Sequence, residues 1–293
     1  MKRVLLGVAV AFLAATGNAQ EAKTALTAPA QATPGAVVRI SLNEMGRDSV
    51  VAIEGSMSGE PLHFHQVQAG AWHAIGAISP DAKTEAIARA IVSFASGRAD
   101  TLSDIIRIPG SPPSRGKPRA LAVSPRFTQP LDAETQARID RENATAREIG
   151  RTAHDTPRMW TAPFLRPRAS VVTSRFGSGR MFNGTLTSRH LGVDFRGKTG
   201  DSIVAANRGV VALVGDFFLA GNVVYIDHGN GVVTAYFHMS KPLVARGDTV
   251  ARGQTIGLIG STGRVTGPHL HWSARYGALT VNPLDLVALG KGW

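Results

Sequence analysis

The chain has 293 residues, of which 43% are hydrophobic and 18% are charged, a composition typical of a globular protein with room for one or two domains. It contains no cysteine, which excludes disulfide bonds and limits any metal site to histidine and carboxylate ligands. The formal net charge is +11, and so basic a chain suits an acidic or polyanionic partner.

The N-terminus has the pattern of a secretory signal peptide. Lys2 and Arg3 precede an apolar run over residues 4–15, and small residues follow up to Ala19. We expect a signal peptide over 1–19, and hence an exported protein that is periplasmic, associated with the cell envelope or secreted. The run is shorter than the roughly 20 residues of a transmembrane helix, so we expect no stable membrane span after cleavage. A retained anchor is the alternative, and export argues against a nucleic-acid partner.

The next part of the chain has the pattern of a tether followed by a small β domain. Residues 20–34 are rich in Ala, Thr, Gln and Pro, as linkers are. Short alternating segments separated by Gly- and Pro-containing turns predict an immunoglobulin-like β-sandwich over 35–110. Residues 85–94 fit both a helix and a strand, and we favour the strand. His63 and His65 have no carboxylate at ligand spacing, so we expect them on an exposed strand face.

Residues 111–166 have the composition of a linker that contains one helix near 131–150. Prolines fill the first part, whereas 131–150 lacks proline, alternates in charge sign and ends at Gly150. The helix has few apolar positions, which predicts that it lies on a surface. We favour a connecting helix; a helix that covers the groove of the following domain is the alternative.

Residues 167–293 predict a second β-rich domain, and this domain holds the polar groups that are suited to chemistry. Many short strands with glycine corners indicate a compact, barrel-like sandwich. Three of its segments matter: 189–195 carries a histidine and a carboxylate, 235–238 a single histidine, and 267–273 two histidines.

Strand alternation places these polar groups on common faces. In the first segment, His190, Gly192 and Asp194 point one way, and Leu191, Val193 and Phe195 point the other. In the third, His269, His271 and Ser273 share a face opposite Leu270 and Trp272. If the two strands are neighbours, two imidazoles and a carboxylate converge at one point.

Such a convergence suits a catalytic zinc ion. Zinc accepts nitrogen and oxygen ligands at roughly 2.0–2.2 Å, and catalytic sites typically combine three protein ligands with a water. His238 and one of His269 and His271 would then remain for proton transfer. Spacing alone does not tell which histidine of that pair binds metal.

At these residues the chain resembles the lysostaphin- or LytM-type zinc endopeptidases, which cut peptidoglycan cross-bridges. The motifs are His190-x-x-x-Asp194, His238 and His269-x-His271, with flanking matches at 174–177 and 260–263, and the resemblance covers about 167–285. It implies a mainly β chain whose C-terminal domain, 167–293, is a barrel-sandwich hybrid with a duplicated hybrid motif. It also implies one Zn²⁺ ion held by His190, Asp194 and His271, with His238 and His269 as the catalytic residues.

The resemblance further implies an exported metalloendopeptidase that hydrolyses peptide cross-links of bacterial peptidoglycan. A zinc-activated water would attack the bond, and the two remaining histidines would transfer protons; which of them is the base stays open. The rival from another class is a non-catalytic wall-binding or amidase-activating module on the same fold. Such modules typically lack ligands or proton-handling histidines, whereas all five positions are present here. A general exported peptidase that acts on proteins is a third interpretation.

Overall fold

The computed structural model describes residues 24–44, 46, 48–109 and 118–290. The predicted signal peptide, the first residues of the predicted tether, the last residue of the predicted sandwich and residues 111–117 of the predicted linker lie outside the described residues. Within the described ranges, no helix combines the length and the apolar content needed to span a bilayer.

The N-terminal part consists of two four-stranded antiparallel sheets, with strand orders β1-β2-β6-β5 and β4-β3-β7-β8. The strands are β1 (Ala25–Thr27), β2 (Val37–Asn43), β3 (Val50–Met57), β4 (Glu60–Leu62), β5 (His65–Gln68), β6 (Ala71–Ala77), β7 (Glu85–Phe94) and β8 (Ala99–Arg107). Both sheets contribute to one buried apolar core that includes Ile40, Leu42, Val92 and Ile106. The prediction that this part is β is confirmed, whereas its immunoglobulin-like character stays a prediction.

Two expectations for this part are corrected by the structure. The predicted tether is not wholly a linker, because β1 pairs with β2 and its central Leu26 is buried in the core. The three residues of β1 are too few to identify such a strand from sequence. His63 does not lie on a free strand face, because its Nε2 is 2.8 Å from Nδ1 of His154, a residue beyond the helix of the predicted linker. His65, also only half-buried, begins β5, and residues 85–94 form the strand β7 that we favoured.

A connecting segment links the two parts. It contains β9 (Arg119–Leu121), a 3₁₀ turn (Pro125–Phe127) and the helix α1 (Ala133–Thr152). The Asp132 side chain caps α1 by accepting a hydrogen bond from the Thr135 amide at 2.6 Å. One face of α1 packs Ala146 and Ile149 against the sheet of the C-terminal part, in agreement with the predicted surface helix.

The C-terminal part is built on a ten-stranded sheet. Its elements are β10 (Val172–Ser174), β11 (Gly179–Phe182), β12 (Leu186–Arg189), β13 (Val193–Arg196), β14 (Ser202–Val204), β15 (Gly209–Phe217), β16 (Gly221–Gly229), β17 (Val232–Pro242), β18 (Thr249–Val250), β19 (Thr255–Ile259), β20 (His269–Tyr276), β21 (Leu279–Val281) and α2 (Pro283–Ala288). The main path of the sheet runs β10-β13-β20-β17-β16-β15-β18, and β11 and β12 form a separate small sheet with β9.

The sheet buries one face around a core that contains Trp272, Tyr236 and Phe195. The predicted hairpin turn is present between β16 and β17, where Gly229, Asn230 and Gly231 have positive φ angles of 83°, 50° and 77°. The core therefore fixes the strands β13, β17 and β20, which carry the polar residues singled out from the sequence.

Several polar contacts join the N-terminal and C-terminal parts. The Val37 amide donates to Asp285 Oδ2 at 3.1 Å. Arg189, which directly precedes His190, donates to the Pro80 carbonyl at 2.8 Å and to Asp81 Oδ1 at 2.9 Å. The N-terminal part is thus in direct contact with the strand that leads into the first histidine of the motif.

Candidate metal centre

The strands β13 and β20 are antiparallel neighbours, as the convergence hypothesis required. Asp194 is the Cα partner of His271, and Val193 is the Cα partner of Trp272. Because side chains opposite each other share a face, the carboxylate and the imidazole lie together on one side, while Val193 and Trp272 enter the core.

Three donor atoms of these residues converge within hydrogen-bond distance of one another. His190 Nε2 is 2.9 Å from His271 Nδ1 and 3.0 Å from Asp194 Oδ1, and His271 Nδ1 is 2.9 Å from the same oxygen. All three side chains are at most 10% exposed. Two imidazole nitrogens and a carboxylate oxygen in a compact triangle form a group that can hold a metal ion.

The expected alternation over 190–195 is correct only from Val193 onward. The strand begins at Val193, so Leu191 lies outside it and is 41% exposed rather than packed in the core. The backbone at Gly192 lies close to the His271 ring, since a Cβ atom at this position would lie 2.5 Å from His271 Nε2. A residue with a side chain would therefore push the His271 ring out of place.

The neighbours of His190 and Asp194 orient their donor atoms. The Nδ1–H of His190 donates to the Arg175 carbonyl at 3.0 Å, with Ser174 Oγ at the same distance, which leaves Nε2 free to face the centre. Arg180 on β11 donates to Asp194 Oδ2, so that Oδ1 points to the two imidazoles. The flanking match at 174–177 thereby has a physical role, since it fixes the His190 tautomer.

His238 reaches the centre through a β-bulge. Val224 pairs with Tyr236 and Asn222 pairs with Met239, so that Phe237 and His238 on β17 face the single residue Val223 on β16. His238 has φ = 63°, in the left-handed region. Without the extra residue, alternation would direct His238 into the core beside Tyr236; with it, the His238 ring lies 5.9 Å from the His271 ring and 4.9 Å from the His269 ring, between centroids.

His238 and His269 are oriented in the same way. His238 Nδ1–H donates to the Thr262 carbonyl at 2.8 Å, and His269 Nδ1–H donates to the Gly267 carbonyl at 2.8 Å. The Nε2 atom of each ring is thereby left to face the centre, and that of His269 lies 3.7 Å from Asp194 Oδ1. Thr262 belongs to the second flanking match, 260–263, which therefore positions His238.

Burial and charge favour the neutral forms of His190, His238 and His271 and the ionised form of Asp194. Burial lowers the pKa of His271 to about 4, although its bond to Asp194 opposes the shift. Burial, followed by the neighbouring His269 and His271, holds the pKa of His238 well below its usual value. Burial would raise the pKa of Asp194, but hydrogen bonds from His190 and His271 outweigh it and hold the pKa below its usual value. Neutral imidazoles and an ionised carboxylate are the forms that bind metal.

Two cavities meet at this centre. A cavity of about 370 Å³ extends from His190, His238 and His271 to the face of α1 around Glu142 and Ala146. A second cavity, of about 240 Å³, extends from Asp194, His238 and His269 toward β9. Four residues line both cavities: Arg180, Phe182, His238 and Arg264. Together the cavities form a groove that passes the three converging donors and the two further histidines.

Residues 188–283, which include His190, Asp194, His238, His269 and His271, match the model of peptidase family M23. The chain carries a peptidase family M23 domain. The family that the sequence motifs resembled is thereby confirmed, and so is the mainly β fold class.

The M23 domain has curated relatives. The peptidoglycan DD-endopeptidase ShyA of Vibrio cholerae is 45% identical over 102 residues, which are 34% of this chain and 24% of ShyA. The DD-carboxypeptidase/endopeptidase Mpg of Neisseria meningitidis is 43% identical over 98 residues, which are 33% of this chain and 23% of Mpg. The chain thus spans about a quarter of the length of these relatives.

One solved structure is similar over most of the chain. A putative peptidase M23 from Pseudomonas aeruginosa has a TM-score of 0.64 and 26% sequence identity, with 87% of this chain and 94% of that chain covered. The likeness therefore extends from the M23 domain to the N-terminal sheets.

The other histidines singled out from the sequence lie away from the centre, and two arginines that the sequence did not single out lie beside it. His228 is fully buried beneath the hairpin turn, as expected of a structural histidine. His63 and His65 lie in the N-terminal part, and His63 contacts His154 rather than the M23 centre. Arg180 and Arg264 were missed, because an isolated arginine in or near a strand has no spacing that distinguishes it from an exposed charge.

Proposed function

We propose that this protein is an exported zinc-dependent endopeptidase that hydrolyses peptide cross-links of bacterial peptidoglycan. The observation that carries the proposal is the convergence of His190 Nε2, Asp194 Oδ1 and His271 Nδ1 within 3.0 Å of one another, inside an M23 domain. The donor set fits zinc, because it combines two neutral imidazoles with one carboxylate and opens onto a groove. His190, Asp194 and His271 are the proposed ligands.

Zinc, when bound, supplies a Lewis acid that polarises a carbonyl and lowers the pKa of a coordinated water to about 7. The chain supplies the proton transfers. His238 and His269 each present Nε2 toward the groove and are each anchored by a carbonyl at Nδ1. One of them accepts the proton of the attacking water on Nε2, and a protonated Nε2, of that ring or of the other, then donates a proton to the leaving amine.

Arg180 acts as a positioning residue in this scheme. Its bond to Asp194 Oδ2 fixes the carboxylate, so that one oxygen remains directed at the two imidazoles. Such outer contacts typically change metal affinity or activity 10- to 100-fold when they are removed.

The substrate assignment draws on the relatives. ShyA is described as a peptidoglycan DD-endopeptidase and Mpg as a DD-carboxypeptidase/endopeptidase. Ligand chemistry alone is compatible with ester or phosphoester hydrolysis, so the choice of a peptide bond rests on the similarity to these relatives.

The proposal of export rests on the basic and apolar pattern of residues 1–19. Export would bring the protein to peptidoglycan, which lies outside the cytoplasm.

The test is digestion of purified peptidoglycan by residues 20–293, with product masses read by mass spectrometry. We expect new peptide termini that disappear with a chelator and return with Zn²⁺. His271→Ala should abolish both zinc binding and cleavage, because it removes one of three ligands.

His73→Gln is the matched control, because His73 lies on β6 of the N-terminal part and away from the groove. It should bind one zinc per chain and release the same products as the unsubstituted protein. Active, zinc-loaded His271→Ala protein would overturn the ligand assignment. Zinc binding without cleavage, even in residues 160–293, would favour the wall-binding or amidase-activating module.

A further inference from the structure

Arg264 lies at the junction of the two cavities, next to the centre but bound to none of its ligands. Its guanidinium carbon stands 4.3 Å above the centroid of the buried Phe182 ring. Its backbone amide donates to the Leu219 carbonyl at 2.8 Å, which fixes the loop before β20. The side chain is half-buried, and it lines both cavities together with His238.

The charge of Arg264 is not compensated within the protein. No carboxylate of the described residues lies within ion-pair distance of its guanidinium, and none of them forms a hydrogen bond with that group. Its charged neighbour is a second cation, Arg180, which already forms an ion pair with Asp194. Burial and the charge of Arg180 both lower the pKa of Arg264, so that its surroundings disfavour an unpaired cation. A half-buried guanidinium with no anion of its own is suited to receive one from a ligand.

The walls of the groove have the same sign of charge. The cavity near β9 is lined by Arg119, Arg180, Arg196 and Arg264, against Asp194 as its acidic residue. The cavity toward α1 is lined by Arg180, Arg189, Arg264 and Arg275, against Glu142 as its acidic residue. Glu142 is already engaged by Arg138 at 2.7 Å and by the Phe218 amide. The groove as a whole therefore attracts an acidic ligand.

We propose that Arg264 is a specificity-determining residue that binds a free carboxylate on the substrate residue supplying the scissile amide nitrogen. This inference rests on the proposed peptidase function and deepens it by naming a substrate class, namely peptides with an acidic group beside the bond to be cut. The planar guanidinium pairs with a carboxylate through two parallel hydrogen bonds, and Phe182 holds it in one orientation. A peptide without that carboxylate leaves the cation unpaired and binds more weakly.

The experiment compares two synthetic peptides that differ only at this group. One carries the free α-carboxylate on the residue after the scissile bond, and the other carries the carboxamide. The unsubstituted, zinc-loaded protein should cleave the carboxylate peptide with a kcat/KM about 10- to 100-fold higher, mainly through KM, since the group takes no part in the bond change. Arg264→Gln should remove this preference, so that its kcat/KM values for the two peptides become equal, whereas Arg264→Lys should retain part of it.

Arg89→Gln, an exposed substitution on β7, is the matched control and should keep the full preference. Equal cleavage of both peptides by the unsubstituted protein, or a preference that survives in Arg264→Gln, would overturn the inference.

If the unsubstituted protein cleaves neither peptide nor peptidoglycan, the proposed function fails, and calorimetry still tests Arg264. The carboxylate peptide should then bind more tightly than the carboxamide peptide, and only when Arg264 is present. Equal binding would overturn the inference on its own.

Discussion

His238 adopts a backbone conformation that residues other than glycine rarely adopt. Its φ angle of 63° places it in the left-handed region, within the bulge that turns its ring toward His269 and His271. A left-handed residue with a Cβ typically costs about 1–2 kcal/mol, and strain of this kind is concentrated at functional sites. The extra residue in β17 therefore causes both the strained backbone of His238 and the position of its ring.

Asparagine at position 238 separates the role of the ring from that of the backbone. Asparagine tolerates the left-handed region, so His238→Asn should keep the fold and bind zinc with little change in affinity. Its kcat should fall at least about 100-fold, because a proton-transfer group is lost. Zinc titration and peptidoglycan digestion measure the two effects.

His238→Val provides the contrast, since a β-branched residue does not suit a positive φ. It should lower the free energy of unfolding by about 1–2 kcal/mol more than His238→Asn does. A His238→Asn variant with normal turnover would remove His238 from the proton-transfer scheme.

The residues of the centre were predictable where spacing carries the information. A two-residue period places Asp194, His269 and His271 on polar faces, and the register of β13 with β20 brings them together. The same rule failed for Leu191, because the strand starts two residues later. It also gave no account of how His238 reaches the centre, since a bulge depends on pairing with β16, which one strand's sequence does not reveal.

At the scale of elements, α1 is more than a connection. Its N-terminal half is fastened by Arg138, which donates to the Asp216 carbonyl at 2.9 Å, and by Glu142, which accepts from the Phe218 amide. Its C-terminal half packs through Ala146 and Gly150. The helix consequently forms one wall of the groove that contains the metal centre.

Gly150 marks the closest approach of α1 to the sheet. A Cβ atom there would lie 1.9 Å from the Gly277 carbonyl oxygen. In an exposed helix, replacement of glycine by alanine stabilises by up to about 1 kcal/mol, but here the added methyl must displace the helix. Gly150→Ala should therefore lower the free energy of unfolding by about 1–3 kcal/mol in urea titrations.

Thr145→Ala is the control on the exposed face of the same helix, and we expect it to be neutral or slightly stabilising. If Gly150→Ala were also stabilising, α1 would not pack on the sheet in solution.

Elements with long, regular patterns were predicted best. β7 alternates over ten residues, which favoured the strand although its alanines also fit a helix, and α1 lies in a proline-free stretch of alternating charge. β1 and β9 have three residues each, and their strand character comes from partners distant in sequence, Asn43 to Ser41 for β1 and β11 for β9. Short strands of this kind are set by tertiary pairing, which local propensity does not report.

At the scale of the whole molecule, a buried hydrogen-bonded chain stabilises the C-terminal core. The Ala206 amide donates to Tyr236 Oη at 2.8 Å, Thr234 Oγ1 lies 2.9 Å from that oxygen, and His228 Nε2 lies 2.8 Å from Thr234 Oγ1. His228 Nδ1–H completes the chain by donating to the Arg208 carbonyl at 2.7 Å. Every polar atom of this buried chain is therefore satisfied only when His228 is neutral.

Acid should destabilise the protein through His228. Burial lowers its pKa from 6.5 to about 4 in the folded state, whereas the unfolded chain takes up a proton near 6.5. The stabilisation is fully present above pH 6.5 and is lost as the pH falls toward 4, because the unfolded state then binds more protons. At pH 4 the shifted pKa of His228 lowers the free energy of unfolding by about 3 kcal/mol.

Urea unfolding of the metal-free protein between pH 7 and pH 4 measures this loss. His228→Gln, which does not titrate, should be less stable at pH 7 and should show a shallower fall with pH. Parallel curves for the two proteins would show that His228 does not carry the effect.

The register of β13 and β20 has a consequence for how a metal ion would reach the proposed ligands. Asp194 and His271 are 77 residues apart in sequence, yet the pairing of two core strands sets them face to face. Bringing them together costs conformational entropy. Strand pairing during folding offsets this cost, so metal binding does not have to. Where a metal must also fold its domain, part of its affinity is consumed in ordering the chain. Under the proposed ligand assignment, the protein would take up its ion last, and exchange it later, in an already folded state.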